Sequence, residues 1–136
     1  MCYLLIGLQD ASQLRNQYGD RFFNELLHGV ARRLQQLVRP LDVLTRLDDN
    51  HFGLITLLAD LHECSPSSFK RLHEGLNFKA FKTSEGFITL KAGISLVGLD
   101  AKALPTTPEQ LIQHAQNLLP ESYVSGRVAA MRLPLP

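Results

Sequence analysis

The chain has 136 residues, of which 45% are hydrophobic and 20% charged, and its 14 basic and 13 acidic residues leave a formal net charge of +1. That is the size and make-up of one globular domain with its own core, and it excludes a disordered tail, a collagen-like repeat and a coiled coil. So even a charge balance removes the electrostatic case for nucleic acid or an anionic membrane surface. The longest apolar runs, such as Leu54 to Leu58 broken by Thr56, are too short to span a bilayer.

Cys2 to Leu8 is a short apolar run with strand-compatible residues. Asp10 and Ser12 then offer N-caps for a helix running toward Tyr18, and Gly19-Asp20 marks a break. Phe22, Phe23, Leu26, Leu27, Val30, Leu34 and Leu37 follow at spacings of one, three and four, with Arg21, Glu25, Arg32, Arg33 and Gln36 on the opposite face. This is an amphipathic helix with a core stripe and a solvated basic face, and Pro40 stops it. Val43–Leu47 and Phe52–Leu57 read as two strands joined by Asp48-Asp49-Asn50, which makes a hairpin.

Ser65-Pro66-Ser67-Ser68 opens a further helix that carries Phe69 and Leu72 and fades near Gly75. Phe87–Leu96 is a strand candidate, Leu99–Thr107 a loop, and Thr107-Pro108-Glu109-Gln110 a helix start with a capping-box pattern. Leu111, Ile112, Ala115, Leu118 and Leu119 form its stripe, Pro120 is expected to end it, and Arg127–Leu133 supplies a last strand. The order β-α-α-β-β-α-β-α-β predicts a single α/β sandwich over residues 1–136, with a mainly antiparallel central sheet flanked by helices.

Few side chains group as a reactive site. His51, His62, Cys64 and His73 lack the paired spacing of a zinc module, so no metal site is expected. His51 beside Asp49 has no nucleophile and orienting group to make an acid–base constellation. Cys2 and Cys64 are too few for a disulfide framework, and no secretory segment opens the chain, so the expectation is a reducing, cytoplasmic setting with Cys64 an inert thiol.

The element order, with Tyr18-Gly19, Val30-Ala31-Arg32-Arg33-Leu34, the run from Arg39 to Phe52, Ala92-Gly93-Ile94-Ser95, Gln110 to Ala115 and Gly126-Arg127, resembles the GGDEF domain of bacterial diguanylate cyclases over nearly the whole chain. The resemblance implies the palm-like fold of nucleotidyl cyclases. In the family, two domains meet face to face, each with one GTP, and divalent metals assist the phosphoryl transfers that make cyclic di-GMP. The chain starts at the family's first strand, without its upstream helix and Leu-Thr-Gly-Leu segment, which implies an excised domain or a shortened relative of a larger signalling protein.

The chemical positions differ from the family pattern. The first-strand metal aspartate falls on Gly7, and the signature Gly-Gly-Asp/Glu-Glu-Phe becomes Asp48-Asp49-Asn50-His51-Phe52. The guanine-reading asparagine falls on Arg15, its partner aspartate on Asn24, and the phosphate-contacting lysine on Tyr123. Asn50 offers an amide in place of a carboxylate, and a guanidinium has only donors where a purine edge needs both donor and acceptor. The resemblance therefore implies no metal, no cofactor and no cyclase activity. Arg39 and Asp42, in contrast, match the Arg-x-x-Asp inhibitory site, where a guanidinium fork and a carboxylate bind cyclic di-GMP. Read without the family, the pair is a local ion pair at a helix end.

Three classes of function follow. A regulatory or interaction module contacts a neighbouring signalling domain, a partner protein or a second copy in a homodimer. A receptor binds cyclic di-GMP through Arg39 and Asp42. An enzyme needs the metal ligands that the pattern lacks.

Overall fold

The computed structural model describes residues 1–57, 64–100 and 106–134. Its centre is β1 (Cys2–Leu8), buried along its whole length, as a continuous apolar run with neighbours on both edges and both faces must be. β1 pairs antiparallel with β3 (His51–Thr56) on one side and β6 (Ala92–Leu99) on the other. β2 (Val43–Arg46) extends the sheet beyond β3, and β7 (Ala129–Leu133) lies parallel to β6, giving the order β2-β3-β1-β6-β7.

Period-two alternation divides the core between the two faces. Leu4, Ile6 and Leu8 of β1 pack with Phe23, Leu26, Leu27, Val30 and Leu34 of α2 (Asp20–Leu37) and with Leu72 and Leu76 of α3 (Lys70–Asn77). Tyr3 and Leu5 point the other way, onto Leu111, Ala115 and Leu119 of α4 (Pro108–Ser125). The apolar stripe expected between Phe22 and Leu34 is the buried face of α2. α1 (Ala11–Tyr18) is separated from α2 by Gly19 at φ 90°, where a side chain would be strained.

Five local expectations need correction. α4 begins on the predicted capping box, with Thr107 and Gln110 bonded reciprocally, but it runs through Pro120 to Ser125. Pro120 is exposed, and buried Leu119 and Ser122 continue the packed face on either side of it, which outweighs one lost backbone bond. Phe87–Leu96 is not one strand: β5 (Gly86–Ile88) folds back on β4 (Phe81–Thr83) as a separate hairpin before β6 begins. Asp10 occupies the N-cap position of α1 without capping it; its carboxylate accepts from Lys91 N–H at 3.3 Å, and Ser12 lies inside the helix.

Arg33 is not on a solvated face. Its guanidinium stacks 3.6 Å from the Phe81 ring centroid and donates to the carbonyls of Gly75, Lys79 and Ala80, so it ties α2 to the end of α3. Finally, Cys64 is not a free thiol. It forms a disulfide with Cys2, their Cα atoms 6.2 Å apart, and both lie buried in the larger core cluster. Two cysteines make no framework, but the fold brings this pair together across 62 positions. His62 and most of the Leu99–Thr107 stretch lie outside the described residues. Among the described residues no helix is long and apolar enough to cross a membrane.

Candidate functional site

Adjacent ends of β1 and β6 place Gly7 directly opposite Gly93. Tyr123 of α4 lies across both. A Cβ built on Gly7 would overlap the Tyr123 hydroxyl and come within 2.7 Å of Leu119 Cδ2, and one on Gly93 would lie 2.6 Å from the Tyr123 ring. Such separations are not tolerated between packed atoms, so the two glycines make the recess that the tyrosine fills. Burial raises the Tyr123 pKa, and the charges of Asp10 and Asp48 raise it further, so the phenol stays neutral beside two carboxylates.

The β2–β3 turn stands next to this recess. His51, at the start of β3, is in register with Gly7, and Leu8 N–H donates to the Asn50 carbonyl at 2.9 Å. Asp48 accepts from Asn50 N–H at 2.7 Å, an Asx-type closure of the turn, and from His51 Nδ1–H at 2.8 Å. Partial burial raises the Asp48 pKa, but the hydrogen bonds from Asn50 and His51 and the His51 charge outweigh it, and the net shift is downward. Asp49 accepts from Arg15 at 3.0 Å and Arg46 at 2.8 Å, and the Arg15 hydrogen bond is the main reason its carboxyl titrates below the ordinary range. His51 thus pairs with Asp48, and both aspartates are engaged within the turn network.

Arg15 reaches the turn from α1. It lies 4.5 Å from the Phe23 ring centroid and 3.4 Å from Asp20, so with Asp49 three contacts hold the guanidinium, and Arg15 lines a cleft of about 260 Å³. That cleft is lined by Ala11, Ser12, Arg15, Asp48, Asp49 and Asn50. Asn24 is exposed on α2 and Phe52 is buried in the core. Among the described residues no three His, Cys, Asp or Glu side chains gather as a metal would require.

Arg39 and Asp42 sit at the other end of the hairpin, between α2 and β2. Their side chains do not form the ion pair read from sequence. Instead Asp42 Oδ2 accepts from Arg39 N–H at 2.9 Å, and Asp42 N–H donates to the Arg39 carbonyl at 3.0 Å, which closes a tight turn. The Arg39 guanidinium has no hydrogen-bond or ion-pair partner among the described residues. Both residues line one cavity of about 100 Å³, and Arg71 of α3 lines it too, a second cation that sequence spacing did not connect with the pair. Sequence also named Tyr123 without its contact: 116 positions separate it from Gly7, and only the double glycine in register hints that something large lies there.

No curated protein matches the chain. Solved structures do. The diguanylate cyclase SiaD of Pseudomonas aeruginosa, in complex with its activator SiaC, superposes with a TM-score of 0.80 at 17% identity, over 96% of this chain and 49% of that one. An EAL/GGDEF domain protein from M. capsulatus gives 0.79 at 18% identity, over 98% and 84%. The GGDEF domain of DgcB from Caulobacter crescentus, in complex with c-di-GMP, gives 0.71 at 15% identity, over 95% and 76%. At such identities these likenesses establish the fold, and the family comes from the sequence itself: residues 1–128 match the model for the diguanylate cyclase GGDEF domain, and the chain belongs to the GGDEF family of cyclic di-GMP signalling.

Proposed function

We propose that this GGDEF domain is catalytically inactive and that its role is regulatory, exerted through contact with a neighbouring signalling domain, a partner protein or a second copy in a homodimer. The observation that carries this reading is Tyr123 packed on Gly7 and Gly93. The family's divalent metals need carboxylate oxygens at the end of β1, and here any side chain at position 7 collides with the tyrosine. Asn50 and His51 offer an amide and an imidazole at the signature turn, and Asp48 and Asp49 are engaged by His51, Arg15 and Arg46. These residues do not fit the metal centre, so no phosphoryl-transfer step is assigned to them. A domain without turnover still changes the output of its neighbour when it favours one arrangement of the pair. SiaD, solved with its activator, supports regulation through a protein contact in a relative of this fold.

One observation favours a second reading, a cyclic di-GMP receptor. Asp42 fixes the turn that carries Arg39, the guanidinium itself has no partner among the described residues, and Arg71 shares its cavity. A guanidinium fork held this way suits a phosphate or a guanine edge, and DgcB, with the same fold, was solved with c-di-GMP bound.

Calorimetry with cyclic di-GMP, and with GTP plus magnesium, separates the readings. The inactive reading expects no heat and no product from GTP, and product formed by the purified chain overturns it. Micromolar cyclic di-GMP binding that disappears in Arg39→Ala establishes the receptor, and silence toward every nucleotide leaves the interaction module.

A further inference from the structure

A cavity of about 330 Å³ belongs to neither of these places. It lies between α3 with its leading turn and the Gly126–Val128 turn that joins α4 to β7, and it shares no lining residue with the hairpin cleft or the Arg39–Asp42 cavity. Its lining combines Ser67, Lys70 and Arg127 with an aromatic ring, Phe78, that is 75% exposed. What sets Phe78 apart from the other exposed apolar side chains is its place in a concave site beside two cations, and ligand pockets commonly combine such an apolar wall with a few polar groups.

The polar groups are set on fixed supports. The Arg127 backbone is pinned, its carbonyl accepting from Ser122 Oγ at 2.6 Å and its N–H donating to Ser125 Oγ at 3.2 Å. Its guanidinium has no hydrogen-bond or ion-pair partner among the described residues. His73 lines the cavity at 5% exposure, and the adjacent Asn77 is held by the His73 carbonyl and by both backbone groups of Ala92. Burial keeps the His73 ring neutral near pH 7, lowering its pKa against the smaller opposing effect of Glu74. Glu74 is the one carboxylate in the lining, and Lys70 answers it at 3.8 Å, a long and exposed pair. The lining therefore carries an excess of one positive charge, with an uncommitted guanidinium and a flat apolar ring.

We propose that this cavity binds a planar organic anion, its ring against Phe78 and its acidic group between Lys70 and Arg127. Its volume suits one ring with one phosphate or carboxylate.

The test is an NMR titration of the 136-residue chain with phenyl phosphate, with inorganic phosphate in parallel. Phenyl phosphate is expected to shift the amide signals of Ser67, Lys70, His73 and Arg127. Phe78→Ala and Arg127→Ala, both at exposed side chains, each weaken binding about tenfold or more, whereas Arg39→Ala leaves it unchanged. Inorganic phosphate, which has no ring, binds at least about tenfold more weakly. Absence of shifts up to about 10 mM phenyl phosphate, shifts centred on Arg39 and Asp42, or binding indifferent to Phe78→Ala overturns the proposal. None of these outcomes depends on whether the domain turns over GTP or binds cyclic di-GMP.

Discussion

The two ends of the β2–β3 hairpin handle charge in opposite ways. At the turn, Asp49 is answered by Arg15 and Arg46, Asp48 by His51 and Asn50, and Arg15 also by Asp20 and the Phe23 ring. Four residues before β2, Arg39 has only its backbone committed among the described residues, and its side chain lines a cavity with Arg71. The turn is a closed network that satisfies itself, whereas among the described residues the Arg39 guanidinium has donors without acceptors.

The largest expected effect asks whether the two ends share one support. Both lie on the span closed by Cys2 and Cys64, 62 positions apart. Cys64→Ser should lower stability by about 2–4 kcal/mol in urea denaturation without reductant, and no further loss should follow when reductant is added to the variant. Next comes the recess at the turn end. Gly7→Asp should cost about 1–3 kcal/mol through overpacking against Tyr123 and Leu119. Combining it with Tyr123→Ala should recover part of that loss in a double-mutant cycle. A Gly7→Asp variant as stable as the parent would mean that the tyrosine gives way, and the contrast between the ends would weaken.

Asp42→Ala sharpens the comparison at the other end. It leaves Arg39 N–H without its side-chain acceptor and should cost about 0.5–1.5 kcal/mol. Arg39→Ala should stay within about 0.5 kcal/mol of the parent. Equal losses would mean that the Arg39 side chain is structurally engaged after all. The smallest effect is in the acid range. The Asp48 and Asp49 carboxyls titrate lower in the folded chain than when unfolded. Their pairing therefore contributes stability that is complete above about pH 4. That contribution fades as pH falls through the lowered folded values. Replacing both with asparagine should flatten thermal stability between about pH 4 and pH 2.

Much of the fold was legible because it rests on local rules. The Phe22–Leu34 stripe, the turn residues between β2 and β3, and the reciprocal Thr107–Gln110 cap all act within a few positions. What escaped depends on distance or on competition. β4 and β5 have three residues each, too few for alternation to register, and Glu25 of α2 holds their turn through Ser84 from 59 positions away. Pro120 reads as a stop because its own neighbours cannot reveal the packing of Leu119 and Ser122. The residues of the candidate site were named in the sequence through a family resemblance, but their partners were not. Nothing local pairs Arg15 with Asp49 or sets Tyr123 on Gly7.

α4 packs over β1, β6 and β7, and its cover stops there. On the same side of the sheet, Val43 and Ile55 are paired across β2 and β3 at 58% and 36% exposure, and Leu57 beyond them is 73% exposed. Among the described residues β2 is also an outer strand, with one edge facing no other strand and neither proline nor lysine among its four residues. The one side chain there that is suited to repel an approaching strand, Arg46, is already turned to Asp49. Handled alone at high concentration, the chain therefore has its solubility limited from this flank, and a single lysine at position 43 is the economical remedy.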